Sequence, residues 1–278
     1  GVNSEHLLGA MEIMNKKMLP VNIPKGSIDT CGTGGDGKSS LNISTGISFV
    51  LAANNLTVAK HGNKALTSKC GSADVLSALG ININMPTDLI EKCLNKIGIC
   101  FMFAPNHHPA MKHVGPVREQ IGVRTIFNML GPLLNPGNVD NQIVGVFSKE
   151  VFNLYKEVFD KRDGKNAFII HGYDGMDEIS TKGENLIHSK EYGEIIFDPK
   201  EVNLSKPVNS ELIGKDPNYN ADRIMEIFTG KKDSFYEIIC INAAFAFLLA
   251  SNKEPNKNNI NEYYELSKSI IDSGAAEK

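Results

Sequence analysis

The sequence predicts an α/β protein: a mostly parallel central sheet covered by helices, plus a smaller all-helical subdomain. Three observations carry this expectation. From Gln142 onward, short β-prone runs alternate with amphipathic helical runs, the signature of parallel strands joined by crossover helices. The stretch Asp29-Thr30-Cys31-Gly32-Thr33-Gly34-Gly35-Asp36-Gly37-Lys38-Ser39-Ser40 stands between a strand-like run and a helix-like run, as in the first βα turn of a ligand-binding sheet. Two amphipathic helices, Ser4 to Leu19 and Asp88 to Lys96, flank the alternation and are expected to pair as the subdomain.

Composition narrows the class. A length of 278 residues allows one large domain or two smaller ones, with a core to match. A net charge of -3 argues against a nucleic-acid binder of the usual basic kind. No window reaches the roughly 18 apolar residues of a membrane span. The apolar run Ile238 to Leu249 is interrupted by Asn242 and reads as a buried helix. Five cysteines, odd in number and never spaced Cys-x-x-Cys, fit reduced thiols and a cytoplasmic location, not a disulfide framework or a zinc site. No leader peptide is read ahead of Gly1. Gly1 opens almost directly into a helix and Ala275-Ala276-Glu277-Lys278 reads as one that continues, so a longer chain is expected.

In chain order, Ser4 is expected to cap the first helix, which Pro20 ends. Pro20 to Gly26 is a connector. Ser27 to Thr30 is a strand, the glycine loop follows, and Ile43 to Asn54 is a helix. Leu56 to Ala59 is a short strand with the polar tetrad Lys60-His61-Gly62-Asn63 at its end. Gly71 to Leu79 is helical, Ile99 to Phe103 a strand, Ala104 to Pro109 a loop, and Ala110 to Gln120 a helix disturbed at Gly115-Pro116. The apolar run Arg124 to Leu130 closes in the breaker-dense loop Gly131 to Gly137. Then come strand Gln142 to Phe147, helix Lys149 to Asp160, strand Asn166 to His171, a loop carrying Asp174, Asp177 and Glu178, and strand-like pieces near Gly193 to Phe197. Helices Ala221 to Thr229, Phe235 to Ser251 and Ile260 to Asp272 complete the chain.

The glycine loop reads as a phosphate cradle. Glycine turns the backbone sharply and presents bare N–H groups, and the following helix aims its positive dipole end at the same spot. Gly32 to Ser39 satisfies the P-loop pattern of nucleotide triphosphatases, but Asp36 falls inside that cradle and no apolar strand ending in Asp follows to hold magnesium. Gly32-x-Gly34-x-x-Gly37 also satisfies the dinucleotide fingerprint, but Lys60-His61 stands where that fold places an acid for a ribose diol. Asp177-Glu178 offers hard oxygen ligands of the kind that hold magnesium mainly through a substrate phosphate; read alone, such a pair is solvated surface. His107, His108 and His113 lack a fourth zinc ligand and are broken by Pro109.

Taken as an ordered set, Asp29-x-Cys31-Gly32-Thr33-Gly34-Gly35-Asp36, Asn42-Ile43-Ser44-Thr45, Lys60-His61-Gly62-Asn63, Gly71 to Leu76, Thr125 to Asn128, Gly131 to Pro136, Asp177 to Ser180 and Asn242-Ala243-Ala244 resemble the anthranilate phosphoribosyltransferases over nearly the whole chain. The resemblance implies transfer of the phosphoribosyl group of phosphoribosyl pyrophosphate (PRPP) to the amine of anthranilate in tryptophan biosynthesis. It implies PRPP contacts at Gly32, Thr33, Gly34, Gly35, Asp36, Asn42, Ser44, Thr45, Lys60 and Ser68, and anthranilate contacts at Gly32, Asn63, Arg118 and His107. Ser44, Asp177 and Glu178 would hold magnesium, two ions per site. No single catalytic residue is implied, because an aromatic amine is neutral at working pH and the difficulty is the charged leaving group. Lys60 and the metal then stabilise charge. The implied division is residues 1–19 and about 86–117 as the small helical subdomain, through which the protein would form a homodimer, and 20–85 with about 118–278 as the α/β domain. Roughly the first sixty residues of the family pattern lie outside this sequence. Thr67 departs from a Ser-Ser pair frequent in the family, and Asn106 is unusual in the Phe-Ala-Pro-x-x-His-Pro-Ala segment. The alternatives are a non-catalytic nucleic-acid-binding relative and a pyrimidine nucleoside phosphorylase of the same fold. Neither nucleic acid nor membrane is an expected partner.

Overall fold

The structure, a computed structural model, describes residues 1–65, 69–121, 123, 125–202, 204 and 207–278; the side chains of Pro116, Arg118 and Glu119 are outside the description. Helix α1 (Ser4–Lys17) is capped one residue earlier than the sequence suggested: Asn3 Oδ1 accepts from His6 N at 3.0 Å. Strand β1 (Ile28–Thr30) leads through the glycine loop to α2 (Ile43–Ala53). Next come β2 (Val58–Gly62), α3 (Ser72–Ala78), α4 (Thr87–Ile97) and β3 (Ile99–Phe103). The expected loop at Ala104 contains a short helix, α5 (Ala104–His107), with Pro105 in its first turn, where its missing N–H costs nothing. Helix α6 (Met111–Ile121) runs on through Gly115-Pro116.

The second half alternates as expected: β4 (Asn141–Gly145), α7 (Lys149–Asp160), β5 (Asn166–His171). Strands β6 (Asn185–Ser189) and β7 (Gly193–Phe197) then form an antiparallel hairpin, of which β6 was not foreseen. Helices α8 (Pro217–Phe228), α9 (Ser234–Ala250) and α10 (Lys257–Asp272) close the chain.

Among the described residues seven strands form one sheet in the order β3-β2-β1-β4-β5-β6-β7. The first five are parallel and the β6–β7 edge is antiparallel. The order reverses between β1 and β4, so the carboxyl ends of these neighbours open a crevice where sheets of this kind bind ligands. Helix α9 is apolar all round and lies buried on one face between α2 and α10, as an all-apolar helix must. On the other face α7 packs Phe152, Tyr155 and Phe159 against Val144, Val146 and Ile169.

The two flanking helices bury their apolar residues in different places. Leu7 and Met14 of α1 join the α7 cluster, while Ile90 and Leu94 of α4 pack with Ala59, Cys100 and Met102 of β2 and β3. No helix among the described residues is long and apolar enough to cross a membrane, and the five cysteines are unpaired.

Candidate active site

Three loops meet at the reversal of strand order: the glycine loop after β1, the Asp177-Glu178 loop after β5, and the chain leaving β4 at Gly145. Thr33 N donates to Gly145 O at 2.8 Å, and Gly34 N to Asp177 Oδ2 at 2.9 Å. This approach is possible because Gly145 has no side chain: a Cβ there would lie 1.4 Å from Asp177 O. Gly34, at φ 64, turns its N–H toward the acid. One cradle amide expected to face phosphate is thus paired with a carboxylate here.

The acid loop is held from behind by two buried amides. Asn242 of α9 accepts from Ile179 N at 2.9 Å and donates to Ile179 O at 2.9 Å. Asn185 of β6 does the same for Ser180, at 2.7 and 3.0 Å. This clamp presents Asp177 and Glu178 toward Asp36 of the glycine loop, with one oxygen of each acid within 4.8 Å of the others. Asp36 Oδ2 and Glu178 Oε2 are buried and have no hydrogen-bond partner. Burial, and then the neighbouring carboxylates, push the Asp177 and Glu178 acids above the ordinary range.

Lys60 and His61 lie within β2, not beyond its end, because both find partners inside. Lys60 Nζ donates to Thr30 O, to Thr30 Oγ1 at 3.2 Å and to Ser44 Oγ at 3.4 Å. Burial lowers its pKa, against the opposing pull of Asp29, Cys31 and Glu178. Alternation along the strand sends His61 the other way. Its N–H is held by Asp29 Oδ1 at 3.1 Å, and Asn135 Nδ2 holds Asp29 Oδ2 at 2.7 Å. Asp29 is fully enclosed, and burial raises it to about 6. His61 Nδ1 faces Gly131 O at 3.2 Å, so that nitrogen carries the proton; Nε2 then accepts from His108 Nε2, also 3.2 Å away. Burial first, and neighbouring histidines second, lower His61 to about 3 and His108 to about 4, so both are neutral near pH 7.

These groups border a cavity of about 790 Å³, within the range of small-molecule sites. Of the residues the sequence offered as binding or metal-holding, Gly32, Thr33, Gly34, Gly35, Asn42, Ser44, Lys60, Asn63, Asp177 and Glu178 line it. Asn42 stands at the N-cap of α2 but does not cap it: its Nδ2 donates to Cys70 O at 3.2 Å and its Oδ1 accepts from Asn220 at 2.9 Å. Asp36 is outside the lining and belongs to the acid cluster. Thr45 is fully buried with its hydroxyl unpaired and does not reach the wall.

The histidine of the acceptor segment requires correction. His107 turns its Nδ1 to Leu19 O at 3.2 Å, away from the cavity, and the following residue, His108, lines it. The spacing of Phe-Ala-Pro-x-x-His-Pro-Ala agrees with this, since its histidine directly precedes Pro-Ala, and that position is His108, before Pro109. Phe127 and Pro132, which fall in the Thr125 to Asn128 and Gly131 to Pro136 motifs without a role named there, add apolar wall together with Met111, which no motif marked. Ser68 lies outside the described residues, as does the side chain of Arg118, whose backbone is in α6.

Residues 25–277 match the profile of the glycosyl transferase family, a/b domain. The chain is 42% identical to the anthranilate phosphoribosyltransferase of Azorhizobium caulinodans over 99% of its own length and 80% of that protein. The crystal structure of anthranilate phosphoribosyltransferase from Thermus thermophilus superposes with a TM-score of 0.92 at 35% identity, covering 100% of this chain and 83% of that one. The Saccharomyces cerevisiae protein in complex with PRPP and Mg gives 0.91 at 29% identity, covering 99% and 77% of the two chains. A further yeast structure holds 4-fluoroanthranilate, with a TM-score of 0.88 at 27% identity and coverage of 99% and 77%.

Proposed function

The chain belongs to the anthranilate phosphoribosyltransferases of the glycosyl transferase family, and from that premise we propose how its residues divide the work. The enzyme transfers the phosphoribosyl group of PRPP to the amine of anthranilate and releases pyrophosphate. One observation carries the assignment of roles: Asp36, Asp177 and Glu178 converge beside the glycine loop with two buried, unpaired carboxylate oxygens. Such oxygens are costly unless a cation meets them, and an all-oxygen donor set suits magnesium. Asp36, Asp177, Glu178 and the Ser44 hydroxyl would hold it, with two ions per site. Bound there, magnesium offsets the negative charge of the pyrophosphate as it leaves.

The chain's own groups do the rest. The amides of Gly32 to Gly37 and the first turn of α2 hold the phosphates. Asn42 and Thr33 add polar contacts, while Thr45 supports the turn from inside. Ser68 completes the PRPP contacts by resemblance. Lys60, fixed between Thr30 and Ser44, places a positive charge beside the phosphates. Anthranilate stacks between Met111, Phe127 and Pro132 with its amine toward the ribose, and Asn63 and the His108 edge orient it. By resemblance, Arg118 would pair with its carboxylate, for which an arginine fork offers two parallel hydrogen bonds. Because the amine is already neutral, positioning and charge stabilisation suffice.

The remaining roles follow from surfaces. Exposed apolar side chains occur on or beside α1, α4 and α6 at Ile13, Leu19, Leu89, Ile97, Val117 and Ile121. They support residues 1–19 and about 86–117 as the small domain and as the homodimer contact, which sedimentation equilibrium of the full-length protein tests by returning twice the chain mass. Free cysteines support the cytoplasm as its location. For the reaction itself, anthranilate fluorescence is followed after mixing with PRPP and magnesium. It decays only when both are present. Thymidine phosphorolysis or retained oligonucleotide in place of that decay would overturn the assignment.

A further inference from the structure

A second cavity, about 220 Å³, lies at the amino end of β4, opposite the glycine loop and between the ends of α1 and α7. Met18, Leu133 and Val139 make its wall apolar, and Asn15, Gln142 and Arg162 supply polar groups. Burial lowers the Arg162 guanidinium to about 10. The Phe159 ring covers one face of it, 4.8 Å from Cζ to ring centre. Among the described residues its hydrogen bond is a long one, from Nη1 to Gln142 Oε1 at 3.4 Å. The nearby acids are committed elsewhere: Asp160 to His188 at 3.0 Å, Asp163 to Lys190 at 3.0 Å, and Asp140 to Lys165 at 3.9 Å. A guanidinium has five donors in a fork that matches a carboxylate, and this one faces a cavity with most of them unspent.

We propose that this cavity is a second ligand site, for a small organic carboxylate of about one ring, with its oxygens on the Arg162 fork and its apolar body against Met18, Leu133 and Val139. The site is wired to the larger cavity. Gln142 Nε2 donates to Pro132 O at 2.7 Å, and Gly131 O holds His61 at 3.2 Å. Along this one loop, Leu133, Asn135 and Pro136 face the small cavity while Gly131, Pro132 and Leu134 face the large one. An acid on Arg162 draws the guanidinium from Gln142 and shifts the wall at Pro132. Affinity in the two cavities is then linked reciprocally. This linkage, unlike the site itself, rests on the larger cavity being the acceptor site.

Calorimetric titration of the full chain with benzoate tests the site, because benzoate has the carboxylate and ring but no amine to transfer. Wild type binds one more benzoate per chain than Arg162→Leu. Arg162→Lys, which keeps the charge but loses the fork, weakens that extra binding by about tenfold. Equal stoichiometry and affinity in wild type and both variants overturn the site, and an Arg162-dependent site that takes inorganic phosphate but not benzoate overturns the ligand class. Should Arg162→Leu not fold, the Arg162→Lys comparison decides alone. For the linkage, benzoate inhibition of transfer is parabolic in wild type and linear in Arg162→Leu; linear inhibition in both overturns it. Absence of turnover in the wild type itself would count against the transferase assignment and leave the binding result standing.

Discussion

Glu178 and His108 meet the same interior in opposite ways, since burial disfavours the charged form of each. For Glu178 the consequence is a carboxylate that is destabilised until a cation meets it. Glu178→Gln should therefore lower kcat/KM by about a hundredfold or more, while the melting temperature without magnesium holds or rises. Fluorescence kinetics and a thermal melt measure the two. For the His61–His108 pair the sign runs the other way. Their folded-state pKa values, about 3 and about 4, lie below the ordinary 6.5. The unfolded chain therefore takes up protons first as the pH falls below 6.5, and stability is lost from there down toward pH 4. The slope is up to about 1.4 kcal/mol per pH unit for each imidazole. His108→Gln should flatten that slope, as read by urea denaturation at pH 7, 6 and 5. At this scale the motifs named most of the cavity wall. They offered His107, although the Phe-Ala-Pro-x-x-His-Pro-Ala spacing itself sets the histidine directly before Pro109, at His108. They left Asp36 apart from Asp177 and Glu178, because the loops that carry them are far apart in the chain and meet only in the fold.

Among the elements, the acid loop depends on what lies beneath it. Gly145→Ala would drive a Cβ into Asp177 O, so the loop or β4 must move. We expect a loss of about 2–3 kcal/mol of stability together with nearly all turnover, measured by denaturant unfolding and the transfer assay. Asn242→Leu removes both bonds to Ile179 and leaves its backbone N–H and C=O unpaired in the core. The expected cost is about 2–3 kcal/mol, with KM for PRPP rising and KM for anthranilate little changed. An equal rise in both would remove Asn242 from the support of the acid loop. Periodicity recovered α7, β3 and β5 at their observed bounds, because each buries a continuous apolar face. It missed β6, where only Leu186 and Ile187 are apolar and Asn185 is spent on the Ser180 backbone. It also cut β2 short, because Lys60 and His61 read as solvent-facing until Thr30, Ser44, Gly131 and His108 supply their partners.

For the molecule as a whole, the parallel sheet and the position of the glycine loop were legible from alternation and glycine spacing. The strand order was not, since β1 pairs with β4 across more than a hundred residues. That pairing makes the crevice: it sets the glycine loop beside the acid loop. The central claim is that Asp36, Asp177 and Glu178 hold the metal through which PRPP is bound. Calorimetric titration of PRPP into the protein, with magnesium and with a chelator, tests it in wild type and in Glu178→Gln. Magnesium should tighten PRPP binding by about tenfold or more in wild type and have little effect in the variant. The same magnesium dependence in both proteins would contradict it.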